Sequence, residues 1–195
     1  QQVKSAEEAI TYIVDKVLKE NREDLEALEV PIKELEKAKP PFPRIKYREA
    51  LKILKDMDHE VEWGKDLRTI EENLLMENYD KPLIITHYPK ETMAFYKPAD
   101  PEHPDEALCM DIILPKGYGE VVGGSVRDND IEAMKKELEK EDEDPANYEW
   151  YFDLRKYGAV PHGGYGMGVE RMLAWICNLE NIKDAIPFPR TMLRW

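Results

Sequence analysis

Between residues 5 and 21 the apolar positions recur in steps of three and four. In SAEEAITYIVDKVLKEN, Ala6, Ala9, Ile10, Ile13, Val14 and Val17 share one stripe, which predicts an amphipathic helix with Ser5 and Glu8 as its capping box. Residues 22–38 form a second, more polar helical stretch, stopped by the proline-rich PPFPR at 40–44. RIKY then predicts a short strand, and REALKILKDM and TIEENLLMEN predict two further helices. Beyond residue 80 the period shortens. PLIITHYP (82–89), TMAFYKP (92–98), ALCMDIILP (107–115) and YGEVVGGSVR (118–127) are strand-like runs separated by turn residues. Strands that follow one another without intervening helices pair antiparallel, so the expected class is α+β, a sheet with helices added before and after it. Charged helices are expected at 129–141 and 145–157, and an apolar one at 168–180. There are no internal repeats and no low-complexity tract; the acidic EKEDEDP (139–145) reads as a solvated turn.

Composition narrows the function classes. A chain of 195 residues with 42% hydrophobic and 35% charged residues is long enough for a sizeable core and reads as soluble and globular. A net charge of −13 argues against a general nucleic-acid-binding surface, because phosphate contact needs local positive charge. No apolar run reaches the roughly 18–20 residues that span a bilayer, so no membrane is expected. QQVKSAEEAI has neither the basic nor the apolar segment of a signal peptide, and Cys109 and Cys177 sit in apolar runs without metal-ligand spacing. Both points suit a cytoplasmic protein with buried thiols.

The chemistry concentrates in two stretches. HGGYGMGVERMLAWICNL (162–179) sets four glycines beside an arginine in the first turn of a helix, where the exposed N–H groups already make a cation unfavourable by roughly 0.3–1 kcal/mol. An anion held there would explain Arg171; glycines for a tight turn would equally explain the loop. Neither GxxxxGK[ST] nor GxGxxG fits, since Val169 stands where the third glycine of the latter belongs. In MDIILPKGYGEVVGGSVR, a hairpin would bring Asp111 and Glu120 together, suiting Mg²⁺ shared with a nucleotide, although two surface acids flanking a turn would look the same. Arg127 lies seven residues after Glu120, so strict alternation puts the two on opposite faces. A shared site requires a bulge, for which Gly123–Gly124 is the expected place. The four histidines do not cluster, although His162 abuts the glycine loop, and nothing supports covalent catalysis.

Taken together these segments resemble the C-terminal part of a class II aminoacyl-tRNA synthetase catalytic domain, and within that class the asparaginyl-tRNA synthetases. GGYGMGVERMLAWICNLENIKDAIPFPR is similar to motif 3 of the class, GEVVGGSVR to its GE-hydrophobic-GGSQR segment, YEWYFDLRKYGAVPHGG to the stretch before motif 3, and PLIITHYPKETMAFY to strands lining the amino-acid pocket. The resemblance implies a class II antiparallel sheet flanked by helices over residues 1–195, mainly helical over 1–80, with the sheet and site over 81–195. It implies ATP and Mg²⁺ as cofactors, asparagine and tRNA(Asn) as partners, and a homodimer. By the same resemblance Arg171 contacts the ATP γ-phosphate, Gly168, Val169 and Glu170 complete the ATP-binding stretch, Glu120 with Asp111 holds the metal, and Arg127 and Gly123 meet the amino acid. Gly123 stands where the aspartyl enzymes usually carry serine, which favours asparagine. The usual SQRE is here SVRD, and motifs 1 and 2 do not occur in the chain, so half a catalytic site is expected. An aspartyl enzyme, a tRNA-independent asparagine synthetase on the same scaffold and a non-catalytic paralogue remain as alternatives.

Overall fold

A computed structural model of the chain describes residues 1–190 and 192. Helix α1 (Gln2–Glu20) leads into two short helices, α2 (Arg22–Ala27) and α3 (Ile32–Leu35). Strand β1 (Arg44–Lys46) is followed by α4 (Tyr47–Asp56) and α5 (Thr69–Met76), and then by β2 (Leu83–Thr86), β3 (Cys109–Leu114) and β4 (Gly119–Val126). Helices α6 (Ile131–Lys140) and α7 (Glu149–Lys156), strand β5 (Gly163–Met167) and helix α8 (Val169–Ile176) complete the order. The five strands form one sheet in sequence order. Three of its four pairings are antiparallel, but β1 runs parallel to β2, so the sheet is mixed. The reason is connectivity: α4 and α5 form a crossover between β1 and β2, which a parallel pair needs and a hairpin cannot supply.

The sheet has two differently covered faces. On one, Ile84, Met110, Ile112, Leu114 and Val122 pack with Ala6, Ile10 and Val14 of α1 and Met172, Trp175 and Ile176 of α8. On the other, Leu83, Ile85, Cys109 and Ile113 meet Tyr47, Ala50 and Leu54 of α4 and Leu75 and Met76 of α5. A third cluster joins Met134 and Leu138 of α6 to Phe152 of α7, with Phe95 and Tyr96 against it.

Several expected boundaries move, each for a local reason. Helix α1 starts before Ser5, whose N–H already bonds the Gln1 carbonyl at 3.0 Å, so no Ser5–Glu8 capping box forms. Glu7 turns inward instead and accepts from the Phe42 N–H at 2.5 Å and Arg44 Nη2 at 2.6 Å, tying α1 to the proline-rich connector. The helix expected over 22–38 breaks between α2 and α3, where Glu29 is left-handed (φ 55°) and Pro31 follows. TMAFYKP is not a strand. It continues a single 3-10 turn at Lys90–Thr92, and its consecutive Phe95 and Tyr96 both enter the third cluster, which alternation would forbid. Conversely GGYGM, read as a loop, is strand β5: Tyr165 and Met167 pack on the α1 side, with Gly166 between them.

One glycine carries the packing of β4 on β5. A Cβ on Gly124 would lie 2.8 Å from Tyr165 Cβ, 3.0 Å from Met110 Cε and 3.1 Å from the Gly164 carbonyl oxygen. These are mostly fixed atoms, so Gly124→Ala is expected to cost about 1–3 kcal/mol by overpacking, read as a lowered urea midpoint at unchanged slope.

Candidate functional site

The site is built on a register shift. Along β3 and β4, Ile112 faces Val122 but Ile113 faces Glu120, so Val121 is an extra residue in β4. The expected bulge therefore exists, two residues earlier than Gly123–Gly124. Opposed residues of an antiparallel pair share a face. Asp111 opposes Gly123 and Cys109 opposes Ser125, so Asp111, Glu120, Gly123 and Ser125 all lie on the α5 side, and Arg127 continues that row beyond the strand. The extra residue, Val121, is 3% exposed and joins the opposite core. The bulge thus aims Glu120 and fills the core in one step.

Glycines form the floor beside these side chains. Gly123 opposes Gly166 and Ser125 opposes Gly164, which puts a row of hydrogens where a strand normally raises side chains. A Cβ on Gly123 would come 2.6 Å from Glu120 Oε1 and 3.5 Å from Asp111 Oδ1, so this glycine lets the two carboxylates lie together across the sheet. A Cβ on Gly166 would meet no atom within 4 Å: the floor is open there.

The acids are held together with their charge only partly compensated. Asp111 is pushed up to about 7, chiefly by desolvation and then by the negative charge of Glu120. The buried Tyr88 hydroxyl is hydrogen-bonded to Asp111 and partly offsets that shift. A third carboxylate, Glu72 of α5, is also pushed up to about 7 by desolvation and by Glu120, with Arg171 acting against the rise. Acids raised by a neighbouring carboxylate in this way suit a cation. Among the described residues no three His, Cys, Asp or Glu side chains are grouped to hold a metal ion. A divalent cation at Asp111 and Glu120 would therefore draw its other ligands from a bound molecule, as Mg²⁺ does with phosphates.

Arg171 sits at the same end. One of its Nη atoms donates to the Glu120 carbonyl, and the Cβ position of Gly119 lies 3.5 Å from Arg171 Nη1 and 2.9 Å from Glu72 Oε2. This answers how the first turn of α8 tolerates an arginine: the cation lies back over β4, among carboxylates and carbonyls. Gly168 caps α8 with no side-chain bond, its own N–H going to the Val121 carbonyl at 2.9 Å. Val169 is 71% exposed and Glu170 also faces solvent, so this stretch offers a ligand backbone more than side chains. At the other end of β4, Arg127 donates to Ser125 Oγ, and Arg127 Nη2 lies 3.6 Å from the Cβ position of Gly164. The four residue steps from Gly123 to Arg127 cover roughly 13 Å of backbone. The arrangement is a glycine floor with a cation at each end and two carboxylates beside one of them.

The structure thus brings Asp111, Glu120, Gly123 and Arg171 to one end and Arg127 to the other. Two participants were not singled out from the sequence. Glu72 lies three and four residues before Leu75 and Met76, a helical spacing that already put it on the inward face of α5. Tyr88 follows PLIITH, where no local pattern distinguishes a core tyrosine from a pocket one. His162, which abuts the glycines, is exposed, with Nδ1 2.8 Å from the Val160 carbonyl.

The helix-flanked sheet, with an arginine-bearing helix after a glycine strand, agrees with the class II synthetase fold that the resemblance implies, and comparison bears this out. Residues 1–192 match the family of class II tRNA synthetases (D, K and N), and the chain belongs to that family. It is 44% identical over 192 residues to the asparagine–tRNA ligase of Pyrococcus furiosus, covering 98% of this chain and 44% of that protein. It is 42% identical over 194 residues to the one from Symbiobacterium thermophilum, covering 96% and 44%. Among solved structures it superimposes on asparaginyl-tRNA synthetase from Pyrococcus horikoshii complexed with asparaginyl-adenylate, with a TM-score of 0.95, 43% identity and coverage of 99% and 44%. An aspartyl-tRNA synthetase from Entamoeba histolytica gives 0.85 at 25% identity, covering 99% and 40%. The chain spans less than half the length of these relatives. Among the described residues no helix is long and apolar enough to cross a membrane.

Proposed function

We propose that this chain supplies the metal, γ-phosphate and side-chain ends of the catalytic site of an asparagine–tRNA ligase. The observation that carries this reading is the two-ended site: Arg171 beside Glu120 at one end of β4, Arg127 at the other, and an open glycine floor between them. An aminoacyl adenylate in formation has that shape, with polyphosphate at one end and an amino-acid side chain at the other. The relative crystallised with asparaginyl-adenylate supports asparagine as that amino acid.

In the reaction, an oxygen of the asparagine carboxylate attacks the α-phosphorus of ATP and the α–β bridging bond breaks. Pyrophosphate leaves with that electron pair. A hydroxyl at the tRNA 3′ end then attacks the acyl carbon, the bond from that carbon to the phosphate oxygen breaks, and AMP departs with the electron pair while the hydroxyl proton passes to a phosphate oxygen or to water. Bound Mg²⁺ would neutralise phosphate charge at Asp111 and Glu120. Arg171 holds the γ-phosphate and keeps the leaving pyrophosphate in line, while Arg127 donates to the side-chain carbonyl oxygen of asparagine. Catalysis then rests on positioning and charge compensation, with no protein nucleophile. Charging of tRNA(Asn), pairing of two copies and a cytoplasmic setting belong to the same proposal.

Amino-acid-dependent ATP–pyrophosphate exchange tests it, in the protein carrying this chain. Exchange should be stimulated by asparagine and fall at least ~100-fold in Arg171→Ala, as for loss of a phosphate clamp made in the transition state. Stimulation by aspartate alone would overturn the asparagine assignment. Exchange that survives Arg171→Ala unchanged would overturn the phosphate role.

A further inference from the structure

An arginine can read a ligand only if something holds its flexible side chain. The guanidinium carbon of Arg127 lies 4.8 Å from the ring centroid of Tyr96, within cation–π range, while one Nη donates to Ser125 Oγ. These two contacts occupy one face and one edge of the guanidinium and leave Nη2 over Gly164, towards the floor. The ring is itself braced. Tyr96 packs edge-on to Phe95 at 5.4 Å and lies 6.4 Å from Tyr151, centroid to centroid. Tyr151 is covered in turn by Arg155, whose guanidinium carbon is 3.9 Å from that ring and whose Nη2 donates to the Tyr151 hydroxyl at 2.7 Å. Arg155 is 8% exposed, and its Nε donates to the Asp128 carbonyl at 3.1 Å. The Asp128 N–H closes the loop on the Tyr96 carbonyl at 2.9 Å. The chain of contacts thus leaves Arg127 through its side chain and returns to the next residue through its backbone.

We propose that Tyr96 is a positioning residue for Arg127, its ring face fixing the guanidinium that reads the amino-acid side chain. This rests on the reading of Arg127 given above, and adds a residue from the irregular segment between β2 and β3 to the determinants of amino-acid recognition. The ring face is the working part; the hydroxyl is not. Tyr96→Phe therefore retains the function and Tyr96→Leu loses it.

Two measurements test this on the protein carrying this chain. The first is the guanidinium resonance of Arg127 in the ¹⁵N-labelled protein. A proton held over a ring face is shifted upfield, so the Arg127 signal should stand apart from the exposed arginines in the wild type and in Tyr96→Phe, and merge with them in Tyr96→Leu. An unmoved signal in Tyr96→Leu overturns the proposal. The second is calorimetric affinity for asparagine and, separately, for ATP. Tyr96→Leu should weaken asparagine about tenfold, the scale of a partly buried cation–π contact, and leave ATP within about twofold. In an Arg127→Ala background the same substitution should add nothing. Equal losses for both ligands, an effect that persists without Arg127, or a Tyr96→Phe as damaging as Tyr96→Leu would each overturn it. If Arg127→Ala leaves asparagine affinity unchanged, the recognition role of Arg127 fails, while the resonance still decides whether Tyr96 holds it. A Tyr96→Leu protein that fails to fold leaves Tyr96→Phe to decide: its Arg127 signal must remain where the wild type has it.

Discussion

Replacing Gly166 with leucine should abolish ATP binding while leaving the melting temperature within a few degrees of wild type. Gly166 lies on the open face of β5, opposite Gly123, and a Cβ there meets no protein atom within 4 Å. A Cβ at that position consequently meets no steric resistance from the fold, its further atoms head into the open floor, and a strand gains from losing a glycine. It would, however, stand in the space that the proposed function gives to the nucleotide. A loss of on the order of 100-fold or more, about 2.7 kcal/mol, is expected in a calorimetric titration with Mg-ATP. Gly124, one strand away and facing the other side, should do the reverse: its alanine variant is destabilised because the added atom meets Tyr165 and the Gly164 carbonyl. Leucine at 166 that binds ATP normally would mean that the ligand does not lie on the glycine floor.

The second large effect is on stability against pH. Asp111 and Glu72 each have a folded-state value of about 7, above the unfolded carboxylate range. Between about pH 4 and 7 the native state therefore holds protons that the unfolded chain has released, and stability falls as pH rises through that window. For Asp111 alone the fall is ~2–4 kcal/mol, allowing for its partial contact with solvent. Glu71 acts with the opposite sign. Arg68 and His59 bond its carboxylate and hold it down at about 2, so its contribution is lost as pH drops from about 4.5 towards 2. Chemical denaturation should accordingly find maximal stability near pH 4, with decline on both sides. Asp111→Asn should roughly halve the neutral arm, the Glu72 part remaining, and leave the acid arm in place. Millimolar Mg²⁺ should restore stability at pH 8 more than at pH 5, because only the ionised pair attracts it. A neutral arm that persists unchanged in Asp111→Asn would show that the strain lies elsewhere.

Much of this site could be read from the letters, and what escaped did so for definable reasons. Long apolar stripes such as Ile10, Val14 and Val17 identify α1 because helical periodicity survives any change of partner. GGYGM defeated the same reading because half of its alternation is glycine, which marks a turn as readily as it marks a strand that something must approach. TMAFYKP misled in the other direction: its aromatic and β-forming residues serve a side-chain cluster, where composition looks like a strand and geometry is not. The pairing of Asp111 with Glu120 was legible as a hairpin, and the need for a bulge followed from counting residues. Its position at Val121 did not, because that depends on which core has room for one more valine. Glu72 belongs to the same category, since a helix pattern reports the inward face and cannot say what lies opposite it.

The extra residue at Val121 also sets a rule about length. On a regular strand, residues that share a face are an even number apart; Glu120 and Arg127 are seven apart and share one because the bulge absorbs a residue. Adding or removing one residue among 122–126 would turn Glu120 and Arg127 to opposite sides and send one of them into the α1 core. The hairpin connection at 115–118 lies outside that interval, so residues gained or lost there leave the pair undisturbed. For descendants of this chain, the distance along the strand is as heritable a requirement as the two side chains at its ends.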